Sequence, residues 1–322
     1  MDNNVIVDEL PYRVGGLLYT PALNESIVGK LVAGSIKNLT SLVFCLEDSI
    51  MDESLEAAEI RLKQNLNELM ESGAELPLLF VRIRTPEHMS KVHELLGDAE
   101  KLLTGYVLPK FDLSNADGYI SLIKKYNRKS LEKLYIMPIL ESGSVAEMSG
   151  RIETLGLIKQ KLDAVREYVL NVRVGGNDFS NIFGLRRSKK QNIYQVGVIR
   201  DILTAVVNVF ARDYVVSAAV WEYFGKDADG EWAEGLRNEL ELDRINGFIG
   251  KTAIHPSQLP VIYDSMKVER CDYEDACAIL NWKHDGLAVS KGGSGDRMNE
   301  KKCHTRWAEK ILILAKVYGI KD

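Results

Sequence analysis

The sequence predicts an α/β fold, a (β/α)8 TIM barrel with a C-terminal helical extension acting as a lid. Three observations carry this. Short apolar runs alternate with helical stretches along most of the chain, which is the rhythm of parallel strands joined by helices. Runs such as Ser41-Leu42-Val43-Phe44-Cys45-Leu46 are continuously apolar, as strands covered on both faces require. Polar residues recur just past the ends of the runs, where a barrel keeps its chemistry. A doubly wound open sheet is the alternative, but no Gly-x-Gly-x-x-Gly follows the first run.

Taken in order, Gly16 to Thr20 is the first strand, stopped by Pro21, and a helix capped by Asn24 runs to about Ala33. The second strand, Ser41 to Leu46, ends in Glu47-Asp48-Ser49. A helix follows from Ser54 to Ser72, with Leu55, Ala58, Leu62, Leu66 and Leu69 near one stripe and Gly73 as its stop. Leu78 to Val81 delivers Arg82 and Arg84, and a polar helix carries Met89, Val92 and Leu96. Gly105 to Leu108 ends at Pro109-Lys110, before a helix from Asn115 to Tyr126. Leu134 to Leu140 ends at Glu141; the helical stretch after it runs to Arg166, with a break expected near Gly156. Tyr168 to Val174 leads into Gly175-Gly176-Asn177-Asp178, then a basic patch (Arg186, Arg187, Lys189, Lys190) and a helix from Gln195 to Arg212. Tyr214 to Ser217 is the seventh strand. A helix through Leu236 and Leu240 precedes the eighth, Gly247 to Ile254, which ends at His255-Pro256. Beyond Val268 the rhythm changes: a helix from Tyr273 to Val289, a flexible Gly/Ser loop from Ser290 to Gly295, and a last helix from Glu300 to Tyr318. The expected division is a catalytic barrel over 1–268 and a helical lid over 269–322.

The 322 residues suit one barrel of about 250 residues plus an appendage. A net charge of −5 argues against a nucleic-acid surface, and no apolar run is long enough to cross a membrane. Met1-Asp2-Asn3-Asn4 lacks a signal-peptide pattern, and the four cysteines form no CxxC, so a reduced, cytoplasmic setting is expected.

A barrel gathers Asp48, Arg82, Lys110, Glu141, Asp178 and His255 at one face. Two carboxylates one strand apart, Glu141 and Asp178, suit Mg2+, which takes one or two protein carboxylates and keeps water on its open positions. Those positions would take the oxygens of an oxo acid. Arg82 would grip the substrate carboxylate as a fork, and the metal as Lewis acid would stabilise an enolate. Blander roles compete. A strand-end acid often caps the next helix, and Asp48 could cap the second. At most one of Arg82 and Arg84 is expected to point into the site. Lys110 and Lys251 could be ion-pair partners or phosphate contacts. His255 could be a satisfied strand-end histidine, and the basic patch a solvated loop or a holder for a phosphorylated or CoA-like group.

These residues resemble the citrate lyase β-subunit/HpcH–HpaI aldolase family, in a divergent branch described as C–C-bond lyases of the TIM-barrel fold and associated with bacterial stress and tellurite-resistance operons. Leu17-Leu18-Tyr19-Thr20-Pro21, Leu46-Glu47-Asp48-Ser49, Val81-Arg82-Ile83, Leu108-Pro109-Lys110 and Gly247 to Pro256 carry the likeness, in family order. The resemblance implies that Glu141 and Asp178 bind Mg2+. It implies that Arg82 holds the substrate carboxylate and steadies the enolate, and that Asp48 orients Arg82 or a metal-bound water. Gly176, Lys110 and His255 are expected at the substrate. Glu300, or Asp296 beside it, stands where relatives carry a lid acid that serves a neighbouring subunit; this implies a homo-oligomer, a trimer or hexamer. Two positions depart from the pattern: Gly15 replaces an arginine before the first strand, and Glu300 is one methylene longer than the usual aspartate. His304 and Trp307 resemble signatures of the branch. The expected activity is Mg2+-dependent carbon–carbon cleavage or formation on a β-hydroxy acid or its acyl thioester. A thioester hydrolase on the same scaffold, or a non-catalytic subunit of a stress-response assembly, is the alternative.

Overall fold

The structure, a computed structural model, describes residues 8–128, 133–283 and 286–321. The N-terminal Met1-Asp2-Asn3-Asn4 and the centre of the Tyr273–Val289 stretch lie outside them. Contacts divide the chain into a unit of Val14–Ile262 and a second unit of Met1–Arg13 with Tyr263–Asp322.

The first unit is the barrel. Its strands are β1 (Gly16–Pro21), β2 (Ser41–Cys45), β3 (Leu78–Arg82), β4 (Gly105–Leu108), β5 (Tyr135–Leu140), β6 (Val172–Val174), β7 (Val216–Ser217) and β8 (Lys251–Ala253). They lie side by side in the order β7-β6-β5-β4-β3-β2-β1-β8, all paired in parallel. A parallel bridge between Ala218 and Lys251 nearly closes the ring. The apolar runs are strands because both their faces are covered: all of Ser41–Cys45 and of Gly105–Leu108 is buried.

Around the sheet run α1 (Ile27–Val32), α2 (Leu55–Ser72), α3 (Pro86–Leu96), α4 (Ala116–Asn127), α5 (Gly143–Ala146), α6 (Arg151–Asp163), α7 (Gly176–Ile182), α8 (Gly197–Phe210) and α9 (Glu231–Ile245). In α2 the stripe Ala58, Leu62, Leu66 and Leu69 is buried, and the helix stops at Gly73 in the left-handed conformation, φ 60°. Thr85 accepts from the His88 N–H to cap α3, with Pro86 as its first residue.

Several expected boundaries move. The helical stretch after β5 breaks at 147–150, not near Gly156, which lies inside α6. The break is held by Arg151, whose Nε and Nη2 donate to the carbonyls of Val145 and Ala146 at 2.9 and 2.7 Å and so satisfy the end of α5. The β6 strand starts four residues later than expected, because 166–168 form a 3-10 turn and Val169 makes a single bridge to Ile136. The β8 strand is shortened from its start, since Gly247 and Gly250 take φ values of 94° and 87° that no strand accommodates.

In the second unit, α10 (Arg270–Leu280) is shorter than expected, and Val289–Lys291 is a strand rather than helix. It pairs antiparallel with Met298–Glu300, so Ser290–Gly295 belongs to a hairpin. Arg297 ties the hairpin down: it donates to Asp275 and Asp272 at 2.5 and 2.7 Å and lies over the Trp307 ring. The last helix, α11, is Lys301–Tyr318. Among the described residues no helix is long and apolar enough to cross a membrane.

Candidate active site

At the C-terminal ends of the strands a cavity of about 360 Å3 is lined by Tyr19, Cys45, Asp48, Arg82, Glu141, Arg173, Gly175, Gly176, Asp178 and Thr252, among others. Strand register explains the gathering. Cys45 pairs with Arg82 and Ile139 with Arg173, and residues that pair across parallel strands present their side chains to the same face. Strand alternation then brings Glu141 and Gly175, two residues further on, to that face as well.

Glu141 is 4% exposed. Its Oε1 accepts the Lys110 backbone N–H at 2.9 Å. Lys110 can aim that N–H because its backbone is left-handed, φ 47°, an uncommon choice for a residue with a side chain. Gly175 supplies the space on the other side: a Cβ there would stand 1.9 Å from Glu141 Oε2. The second carboxylate, Asp178, lies in the first turn of α7. Burial first, then the charge of Asp178, push the Glu141 carboxyl up to about 8, while the Lys110 N–H and the charges of Arg82 and Lys110 pull the other way.

Arg82 is fixed from three directions. Its Nε and Nη2 donate to Cys45 Sγ at 3.2 and 3.1 Å, and its Nη1 lies 3.2 Å from both Glu47 Oε2 and Asp48 Oδ2. Its guanidinium carbon sits 5.2 Å from the centre of the Tyr19 ring. The Lys110 ammonium lies 2.6 Å from Glu47 Oε1, 3.5 Å from Asp48 and 3.6 Å from Asp178. Burial raises the Glu47 carboxyl, with Arg82 opposing. Asp48 is held below the usual range: its bond with Glu47 and the charges of Arg82 and Lys110 outweigh its burial. Asp48 therefore braces Arg82 rather than capping a helix. Arg84 turns away to Asp52 at 2.5 Å and to the Leu46 and Ile50 carbonyls.

The other expected residues are placed as follows. Gly176 lines the cavity, and a Cβ on it would meet Ala219 and Ile193 at 2.8 and 2.9 Å. His255 is taken up locally: Nδ1 accepts from the Ser257 N–H at 3.1 Å, and the ring stacks on Phe224. Lys251 is an ion-pair partner, not a phosphate contact. It is fully buried, at 2.7 Å from Glu239 and 2.6 Å from Asp243. Arg187, read with the basic loop, is buried against Glu239 as well. In the second unit, Glu300 precedes α11 and accepts from Cys303 Sγ, and its N–H donates to His304 Nδ1. Asp296 accepts from the Ser294 hydroxyl.

Glu47, which lies against Arg82 and Lys110, and the cavity-lining Tyr19, Cys45 and Arg173 were not anticipated at the site. A charged residue in the middle of the apolar run Val172-Arg173-Val174 was the available signal for the last.

Among the described residues no group of three or more His, Cys, Asp or Glu side chains is placed to hold a metal ion. The Glu141–Asp178 pair offers two carboxylates, the number a hard divalent cation takes when water completes its shell. Burial and the charge of Asp178 raise the Glu141 carboxyl, a cost that such a cation relieves, so the pair fits one.

The family described as C–C-bond lyases of the TIM-barrel fold matches residues 8–320. Among solved structures, a citrate lyase from Burkholderia xenovorans LB400 is similar with a TM-score of 0.72 and 17% identity, covering 99% of this chain and 95% of that one. The Mycobacterium tuberculosis CitE protein, in complex with magnesium, acetoacetate and coenzyme A, gives 0.62 and 18% identity over 94% of this chain and 99% of that one. A Haloferax volcanii malate synthase gives 0.58 and 15% over 78% and 73%. At these identities the likeness shows the fold. No curated protein matches the sequence.

Proposed function

The chain belongs to the family of C–C-bond lyases of the TIM-barrel fold, a carbon–carbon lyase by family, and from that premise we propose that it cleaves or forms the carbon–carbon bond of a small β-hydroxy acid or its acyl thioester with Mg2+ as cofactor. The observation that carries the reading is the buried Glu141 facing Asp178 in a cavity that also holds Arg82. The magnesium, acetoacetate and coenzyme A named with the Mycobacterium tuberculosis relative support it.

Glu141 and Asp178 would hold the ion, which when bound supplies a Lewis acid for the oxygen on which negative charge develops. Arg82 binds the substrate carboxylate. Its Cys45, Glu47 and Asp48 contacts fix the guanidinium in advance, so little ordering remains to be done when substrate arrives. Lys110 orients Glu141 through its backbone and adds a positive charge at the mouth. We assign proton transfer to Glu300 or Asp296, acting from a lid of a neighbouring copy in a homo-oligomer.

The test is retro-aldol cleavage over a panel of β-hydroxy acids and their CoA esters, with Mg2+ and with EDTA. The wild type is expected to cleave at least one substrate, EDTA to stop it, and Glu141→Gln to lower kcat/KM by roughly three orders of magnitude. Cleavage that survives both EDTA and Glu141→Gln overturns the proposal.

A further inference from the structure

Inside the barrel, Arg173 is 1% exposed, yet no carboxylate pairs with it among the described residues. Its Nη2 donates to Thr252 Oγ1 at 2.8 Å, and its Nη1 reaches Asn171 Oδ1 at a long 3.5 Å. Its Nε has no hydrogen-bond partner, and neither has Asn171 Nδ2. Asn171 lies two residues earlier on the same inward face. Lys251 and Arg187, by contrast, each have an acid against them: Lys251 has two, and Arg187 has Glu239. A buried guanidinium without a counter-charge is costly, and arginine does not escape the cost by losing its proton. Two unpartnered donors beside that charge call for an acceptor, and the charge calls for an anion. Arg173 also lines the cavity that holds Glu141, Asp178 and Arg82.

We propose that Arg173, with Asn171 and Thr252 beside it, anchors a second carboxylate of the substrate, so that the substrate class is a dicarboxylic acid. This rests on the lyase reading and deepens it. One end of the acid is taken near Arg82. The distal carboxylate reaches the floor of the cavity, where it accepts from the Arg173 fork.

The test is isothermal titration calorimetry with acids of matched length that differ in the distal carboxylate: succinate against butyrate, and 2-oxoglutarate against 2-oxovalerate, each with and without Mg2+. The wild type is expected to prefer the diacid of each pair by about tenfold or more in Kd, the scale of a charge-assisted fork. Arg173→Met should bring each pair to within about twofold, and Arg173→Lys should keep part of the preference, since the charge stays but the fork is lost. Arg173→Met should unfold thermally no earlier than the wild type, because an apolar side chain replaces an unpaired buried charge. Equal binding of both acids by the wild type, no binding of any acid, or a diacid preference retained in Arg173→Met overturns the proposal; in those cases the orphan donors hold buried water only. Metal-dependent cleavage with an acid preference indifferent to Arg173 sinks this inference and leaves the lyase reading standing. A diacid preference that depends on Arg173, without metal-dependent cleavage, does the reverse.

Discussion

The barrel unit carries two clusters of buried charge, and they are built on opposite principles. Between β8 and α9, Lys251 and Arg187 face Glu239 and Asp243. The Ile193 N–H and the Tyr194 hydroxyl supply further donors at 2.7 Å each, so every carboxylate oxygen of the pair is satisfied. This cluster is balanced and buried. At the mouth, Glu47, Asp48, Glu141 and Asp178 stand against Arg82 and Lys110; Glu47 Oε2 accepts no hydrogen bond, and Asp48 is half exposed. Deeper in the cavity Arg173 has no acid against it among the described residues. The closed cluster is complete as it stands and contributes to one packing arrangement. The open one has unmatched charge of both signs, separated within one cavity, which is what a ligand with a cation at one end and an anion at the other would complete.

The largest expected effect of breaking this contrast is on the closed side. Lys251→Met leaves Glu239 and Asp243 buried with too little counter-charge and should cost about 3–5 kcal/mol of stability. Urea unfolding measures the loss; activity per folded molecule should be unchanged. A stability within experimental error of the wild type would mean that the cluster is not the structural tie described.

The open side should respond the other way. Gly175→Ala puts a methyl where Glu141 Oε2 lies. The expected result is a metal affinity lowered by about 10–100-fold, the range seen when the groups that orient a ligand are disturbed. Calorimetric Mg2+ titration checks it, and unchanged affinity would show that Glu141 does not need that space.

The smallest effect concerns another buried acid, Glu59 of α2, which faces His88 of α3. His88 Nδ1 accepts from the Arg84 N–H at 3.0 Å, so the ring proton is on Nε2, 3.0 Å from Glu59. Burial holds the His88 pKa below its usual value despite Glu59. The folded state therefore binds this proton less readily than the unfolded chain does. Stability from this group is present above about pH 6.5 and is lost as the pH falls through that value and then through the lowered folded pKa. Urea midpoints at pH 7.5 and 5.5 should show the decline, and His88→Gln should flatten it. An equal slope in the variant would assign the decline to other groups.

Most of the fold was legible because parallel strands leave unbroken apolar runs, and most of the mouth because polar residues at the ends of such runs converge. Glu141, Asp178, Arg82 and Lys110 were found that way. Direction within a strand was harder to read. Lys251 and Thr252 are neighbours in β8, yet one is buried against α9 and the other faces the cavity; a shift of one residue reverses such an assignment. The same holds for Arg173, whose inward face follows from its pairing with Ile139 and not from its neighbours in sequence. Glycine also misled in both directions. Gly156, expected near a break, sits inside a helix, while Gly247 and Gly250, expected within a strand, cut β8 short.

Lys110 joins the two acid pairs of the mouth through separate parts of one residue. Its peptide N–H, aimed by a left-handed backbone, fixes Glu141, and its ammonium reaches Glu47 and Asp48. Removing the side chain leaves the hydrogen bond from the backbone N–H to Glu141 in place, and glycine would hold that backbone more easily than lysine does. Position 110 is thus a dial for the charge at the entrance that can be turned without displacing the carboxylate behind it, a starting point for changing which acids enter while the barrel is left alone.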